Sequence, residues 1–118
     1  TSYPNDIDWI KEKSIEDRFR RFKDDFTEDD FVYKRLIRSG DIDVTHHVNN
    51  VTYITMLLDT FSVNELESMT LKDIEISYLN ESLEGETLSI YRKKADDGYY
   101  FKIMKDDGKT AVMAYILL

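Results

Sequence analysis

The residues able to do chemistry are concentrated in one stretch, Gly40 to Leu58, with the sequence GDIDVTHHVNNVTYITMLL. It holds Asp41 and Asp43, the chain's two histidines His46 and His47, and the adjacent amides Asn49 and Asn50. Histidine, with an ordinary pKa of about 6.5, takes up and gives back protons near neutral pH. A carboxylate in the same loop can fix an imidazole's tautomer or act on water itself. Behind the loop, Val51, Ile54, Leu58 and Phe61 recur at helical spacing, with Tyr53 and Leu57 widening the apolar face. Asparagine caps helix starts because its side-chain oxygen accepts a backbone N–H left unpaired there. Those same N–H groups can stabilise a developing negative charge. On spacing alone the Asp43–His47 pair also reads as a loop hydrogen bond, Asn50 as a cap and Tyr53 as a packing residue.

Other chemistries are disfavoured. The 118 residues contain no cysteine, which removes disulfides, thiolate nucleophiles and cysteine zinc sites. Adjacent His46 and His47 are poorly placed to aim at one ion, so no metal site is expected. There is no glycine-rich phosphate loop, and no cofactor is expected. A net charge of −8 argues against nucleic acid or an anionic membrane as partner for the surface as a whole. No apolar run approaches the roughly 18 residues of a membrane helix, and no signal peptide is visible. A cytoplasmic protein is the expectation. Positive charge is still clustered, at Arg18, Arg20, Arg21 and Lys23, at Lys34, Arg35 and Arg38, and at Arg92, Lys93 and Lys94.

At this length one domain with a small core is expected. Residues 1–30 read as a linker with an amphipathic helix, since Ile15, Phe19, Phe22 and Phe26 are spaced four, three and four. From Phe31 the period becomes that of a strand, ending at Gly40. The apolar helix after the loop should be buried over most of its circumference. Ser62 to Met69 adds a turn or short helix. Ile74 to Tyr78, Thr87 to Lys94, Tyr99 to Lys105 and Lys109 to Leu118 alternate as strands, with Asn80 to Glu86 as the first turn and two Asp-Asp-Gly turns after it. The last strand is apolar on both faces. Read as an edge strand, it leaves something unpaired and predicts a homodimer or a second similar domain. The class is α+β, about five antiparallel strands wrapped on one central buried helix.

The order of elements, with DIDVTHHVNNVTYI (Asp41–Ile54) before the helix and IEISYLNESLEGETL (Ile74–Leu88) after it, resembles the hot-dog fold. More narrowly, it resembles the C-terminal hot-dog half of bacterial and plant fatty acyl-ACP thioesterases. The resemblance implies a hot-dog domain over residues 31–118, expected to be the second half of a double hot-dog protein. It implies Asp43, Thr45, His47 and Glu81 as the catalytic set, with Asn49 and Asn50 toward substrate. Thr45 stands where the family has asparagine, keeping a hydroxyl but losing the amide donors. Ser82 stands where many plant members have cysteine. The implied activity is release of free fatty acid from fatty acyl-ACP, the acyl carrier protein being the partner; the basic clusters read first as solvated faces and otherwise as a landing site for such an acidic partner. Two other readings are an acyl-CoA thioesterase acting as a homo-oligomer of single domains and a non-catalytic acyl-carrier-binding domain.

Overall fold

The computed structural model describes residues 10–12, 25–44, 46 and 48–118. One sheet is built from β1 (Ile10–Glu12), β2 (Phe31–Leu36), β3 (Asp73–Tyr78), β4 (Thr87–Lys94), β5 (Gly98–Lys105) and β6 (Thr110–Leu117). The strand order is β1-β3-β6-β5-β4-β2. Strands β2 to β6 pair antiparallel, and the short β1 joins β3 in parallel. Helix α1 (Asn50–Leu58) and the short α2 (Val63–Ser68) lie between β2 and β3 in the chain. The α+β class is therefore as expected. The helix expected over Ile15 to Phe26 lies outside the described residues apart from its end. Ile10–Glu12, ahead of it, is a strand the sequence did not reveal.

The alternation of β6 decides how the core is divided. Val112, Ala114 and Ile116 join a cluster with Ile76, Ile90, Phe101 and Ile103 of the other strands and with Tyr53, Ile54, Met56 and Leu57 of α1. Met113 and Tyr115 belong to a second cluster with Phe26, Tyr100 and Leu117. Successive strand residues point to opposite faces, so β6 is apolar throughout because both of its faces are covered. The reading of this strand as an edge is thereby corrected: β6 is interior, flanked by β3 and β5. Asn80–Glu86 is likewise not a hairpin turn, since β6 and β5 stand between β3 and β4.

The two Asp-Asp-Gly turns differ in what they ask of glycine. Gly108 has φ of 91°, a conformation that costs an L side chain free energy. Gly98 is needed for space instead. A Cβ there would lie 1.8 Å from the carbonyl oxygen of Ile116 on the neighbouring strand. Tyr115 closes the same corner by donating its phenol to Asp97.

Tyr33 ties the edge strand β2 to the helix by donating its phenol to the carbonyl of Met56 at 2.7 Å. Burial, and after it the Asp59 carboxylate, pushes its pKa from 10.0 up to about 12. A raised phenol pKa contributes stability that is present below the unfolded value and lost as pH rises through the folded one. Denaturant titrations of Tyr33→Phe are therefore expected to lose less stability than wild type between pH 10.0 and about 12. In the same assay at neutral pH, Gly98→Ala is expected to cost at least about 1–3 kcal/mol, the range for overpacking. An unchanged midpoint would contradict the close strand approach.

Candidate functional site

The loop that carries Asp43 is pinched at its base. Asp41 accepts from Arg35 Nη2 at 2.6 Å and from the Arg38 backbone N–H at 3.0 Å through its two carboxylate oxygens. Its carbonyl accepts from the Asn49 N–H at 2.9 Å, and Ile42 pairs with Val48 in an isolated antiparallel bridge. The two ends of the loop are thus held together, and the chain leaves the clamp directly into α1. Asp41 is buried, and these partners satisfy its carboxylate there. The sequence ranked Asp43 above Asp41 for chemistry. The structure gives Asp41 the separate task of closing the loop.

Within the loop, the His46 N–H donates to the Asp43 carbonyl at 3.0 Å, and His46 adopts φ of 67°. This is left-handed backbone, uncommon for a residue other than glycine. His46 is exposed, and it bends the chain between Asp43 and Val48. Asp43 is half-buried, while Val44 at the tip is 95% exposed. Thr45 and His47 lie outside the described residues.

The loop delivers the chain to α1 at two asparagines with different tasks. Asn49 is the N-cap: its side-chain oxygen accepts from the Val51 N–H at 2.8 Å. The cap reading made for Asn50 therefore shifts by one residue. Asn50 instead lines a cavity of about 410 Å³ together with Val48, Tyr53, Tyr78, Leu79, Asn80, Glu81 and Ser82. Glu81, in the segment after β3, is exposed, so its carboxylate stays in contact with solvent at the cavity. Two of the sequence-derived candidates, Asn50 and Glu81, are thus brought to one cavity from distant parts of the chain.

The wall of this cavity holds two hydroxyls that sequence reasoning had not assigned to the site. Ser82 is fully buried and lies against Tyr53. Tyr53 of α1 is buried and stacks at a tilt on Tyr78, ring centres 5.8 Å apart. Burial pushes the Tyr53 phenol above its ordinary pKa, and the neighbouring Ser82 side chain pulls it partly back. Neither role is visible in a sequence, because both depend on the β3–β4 segment packing onto α1.

Among the described residues no cluster of three or more metal-ligating side chains is present, and no helix is long and apolar enough to cross a membrane. The cluster from Arg18 to Lys23 lies outside the described residues, and three of the other basic residues are engaged within the fold. Arg35 is bound to Asp41, and Lys93 pairs with Asp25 at 2.8 Å. Arg92 donates to the Thr60 carbonyl at 2.8 Å and lies over the rings of Phe61 and Tyr99.

An antiparallel sheet packed on a helix is the hot-dog fold shared with thioesterases of known structure. Residues 24–116 match the profile of the acyl-ACP thioesterase C-terminal domain, and the chain belongs to that family. No curated protein sequence matched. Among solved structures, an acyl-ACP thioesterase of Bacteroides thetaiotaomicron superposes with a TM-score of 0.70 at 23% identity, over 77% of this chain and 38% of that one. A 12:0-ACP thioesterase of Umbellularia californica gives 0.67 at 18% identity, over 83% and 40%. A 1,4-dihydroxy-2-naphthoyl-CoA thioesterase of Synechocystis gives 0.60 at 14%, over 73% of this chain and 77% of that one. This chain thus spans about two-fifths of the length of the two acyl-ACP enzymes.

The clamp and the bend can be tested separately by chemical denaturation. Asp41→Ala is expected to cost about 1–3 kcal/mol, because it leaves two part-buried donors, on Arg35 and Arg38, without their acceptor. His46→Gly should be neutral or stabilising, whereas His46→Val should lose about 1–2 kcal/mol in the left-handed region. Equal stability of the glycine and valine variants would refute the bend.

Proposed function

We propose that this chain is the catalytic C-terminal half of a fatty acyl-ACP thioesterase. The observation that carries the reading is the single cavity to which Glu81 and the α1 start at Asn50 both come, within a domain of the acyl-ACP thioesterase family. Glu81 acts as general base on a water, with His47 sharing or orienting that task and Asp43 fixing the imidazole. The water oxygen bonds to the thioester carbonyl carbon, and the water's proton passes to the base. The Asn50 backbone N–H, the first of α1, receives the oxyanion, the next N–H groups being bound to Asn49. The C–S bond then breaks, the thiolate takes a proton, and free fatty acid leaves.

Thr45 supplies one hydroxyl where the family has an amide, so this site works with a weakened positioning group. Among the described basic residues, Lys94 is exposed and lies over the face of Tyr99 at 5.1 Å. That makes it the cleanest probe of contact with an acidic acyl carrier protein, since reversing Arg35, Arg92 or Lys93 would also break contacts within the domain.

A second reading, acyl-CoA hydrolysis by an assembly of single hot-dog domains, is supported by the likeness to the CoA thioesterase of Synechocystis, most of whose length this chain covers. Steady-state kinetics of the intact protein on matched acyl-ACP and acyl-CoA separates the two. The first reading expects a higher kcat/KM on acyl-ACP, and a preference for acyl-CoA would favour the second. Glu81→Gln and His47→Ala should each lower kcat by about 10²-fold or more. Thr45→Asn should raise it. Unchanged rates in both Glu81→Gln and His47→Ala would sink the mechanism. Lys94→Glu should raise KM for acyl-ACP, more so at low salt.

A further inference from the structure

We propose that Tyr78, backed by Tyr53, is a specificity-determining residue that selects acyl groups by the shape of the carbons nearest the thioester; the proposal rests on the reading of this cavity as a thioesterase site. Tyr78 ends β3, and it is half-buried where the four residues before it are buried. Like Ile74 and Ile76 it is on the face of the sheet turned to α1, where its ring meets that of Tyr53 with centres 5.8 Å apart and a tilt of 52°. Both rings line the cavity, and both also pack in the main core cluster. They are therefore the partition between cavity and core.

The partition stands at a defined distance from the helix start. Asn50 and Tyr53 are three residues apart on α1, so they share a face, and Tyr53 lies about 4.5 Å further along the axis. An acyl carbonyl held at the Asn50 N–H brings the first few carbons of its chain against the two rings, and the rest of the chain extends beyond them. The rings have little room to yield. Tyr53 is buried and lies against Ser82 as well as the core, and Tyr78 is backed by Tyr53 and by the same core cluster. The polar lining is at the mouth, where Asn50 is half-buried and Glu81 is exposed. Such a cavity fixes the carbonyl end of the substrate and limits its width a short way in. A straight chain passes the aromatic wall, whereas a methyl branch beside the carbonyl collides with it. One methylene in an apolar pocket changes discrimination by about 10–200-fold. The filter therefore acts on branching at the second and third carbons and not on total chain length.

The test compares kcat/KM of the intact protein on straight-chain acyl-ACP and on acyl-ACP of equal carbon number methylated at the second or third carbon. Wild type is expected to favour the straight chain by at least about tenfold. Tyr78→Ala, which removes the ring, should reduce that preference by at least about fivefold. Tyr78→Phe, which keeps the ring, should leave the preference within about twofold of wild type. The order of preference among straight chains of different length should be the same in all three proteins. A wild-type enzyme indifferent to branching would overturn the proposal. So would a Tyr78→Ala enzyme whose rates fall equally on straight and branched substrates, which is what loosened packing alone would give. If Tyr78→Ala does not fold, Tyr78→Leu decides: a reduced preference supports the filter, and the wild-type preference overturns it. Failure of the underlying functional reading looks different, since straight-chain acyl-ACP would then go unhydrolysed or Glu81→Gln would retain full rate.

Discussion

Everything at the site depends on the packing of α1 against the sheet. Met56 and Leu57 are fully buried, and Tyr53 and Ile54 nearly so, against side chains from β3 to β6. Full burial of a side chain of this size contributes about 1.5–3 kcal/mol, so these four residues outweigh any single polar contact in the loop. Because they fix both the depth and the rotation of the helix, they also fix where its first turn emerges. Asn49 caps that turn, and Asn50 is left to face the cavity.

Two polar devices then transfer this rigidity to parts of the chain with no regular structure. Upstream, Asp41 and the Ile42–Val48 bridge bind the loop to the helix start on one side and, through Arg35, to β2 on the other. Downstream, the segment after β3 is brought over α1, where Ser82 goes in beside Tyr53 and Glu81 stays out. The result is a site whose candidate groups sit on irregular segments but whose geometry is set by a helix and a sheet, a common way to combine variable chemistry with a fixed scaffold. The Tyr33 contact with Met56 adds a further tie between the edge strand and the same helix.

Much of this was legible in the sequence, for definite reasons. Strand alternation at Ile74, Ile76 and Tyr78, and the helical recurrence of Ile54 and Leu57, are local signals that the core enforces. The class, the element order from Phe31 onward and the two-sided burial of the last strand followed from them. Neighbour relations did not follow, because pairing β6 with β3 rather than leaving it at an edge is a non-local choice. The glycines show the same divide. Gly108 serves its turn, as the Asp-Gly pattern suggests, whereas Gly98 is required by a carbonyl on another strand. At the site, the loop motif drew attention to Asn50 and the family resemblance to Glu81, and both line the cavity. The role of Asp41 stayed hidden, because it is defined by a clamp that exists only in three dimensions.

The central claim is that water, activated at the Glu81 cavity, cleaves an acyl thioester. The most direct measurement is a single turnover of acyl-ACP by the intact protein in heavy-oxygen water, with both the released fatty acid and the Glu81 peptide analysed by mass spectrometry. The account predicts heavy oxygen in the fatty acid carboxylate and none in Glu81. Heavy oxygen in the Glu81 side chain would mean that this carboxylate attacked the acyl group itself, and no release of fatty acid would mean that the cavity is not a thioesterase site.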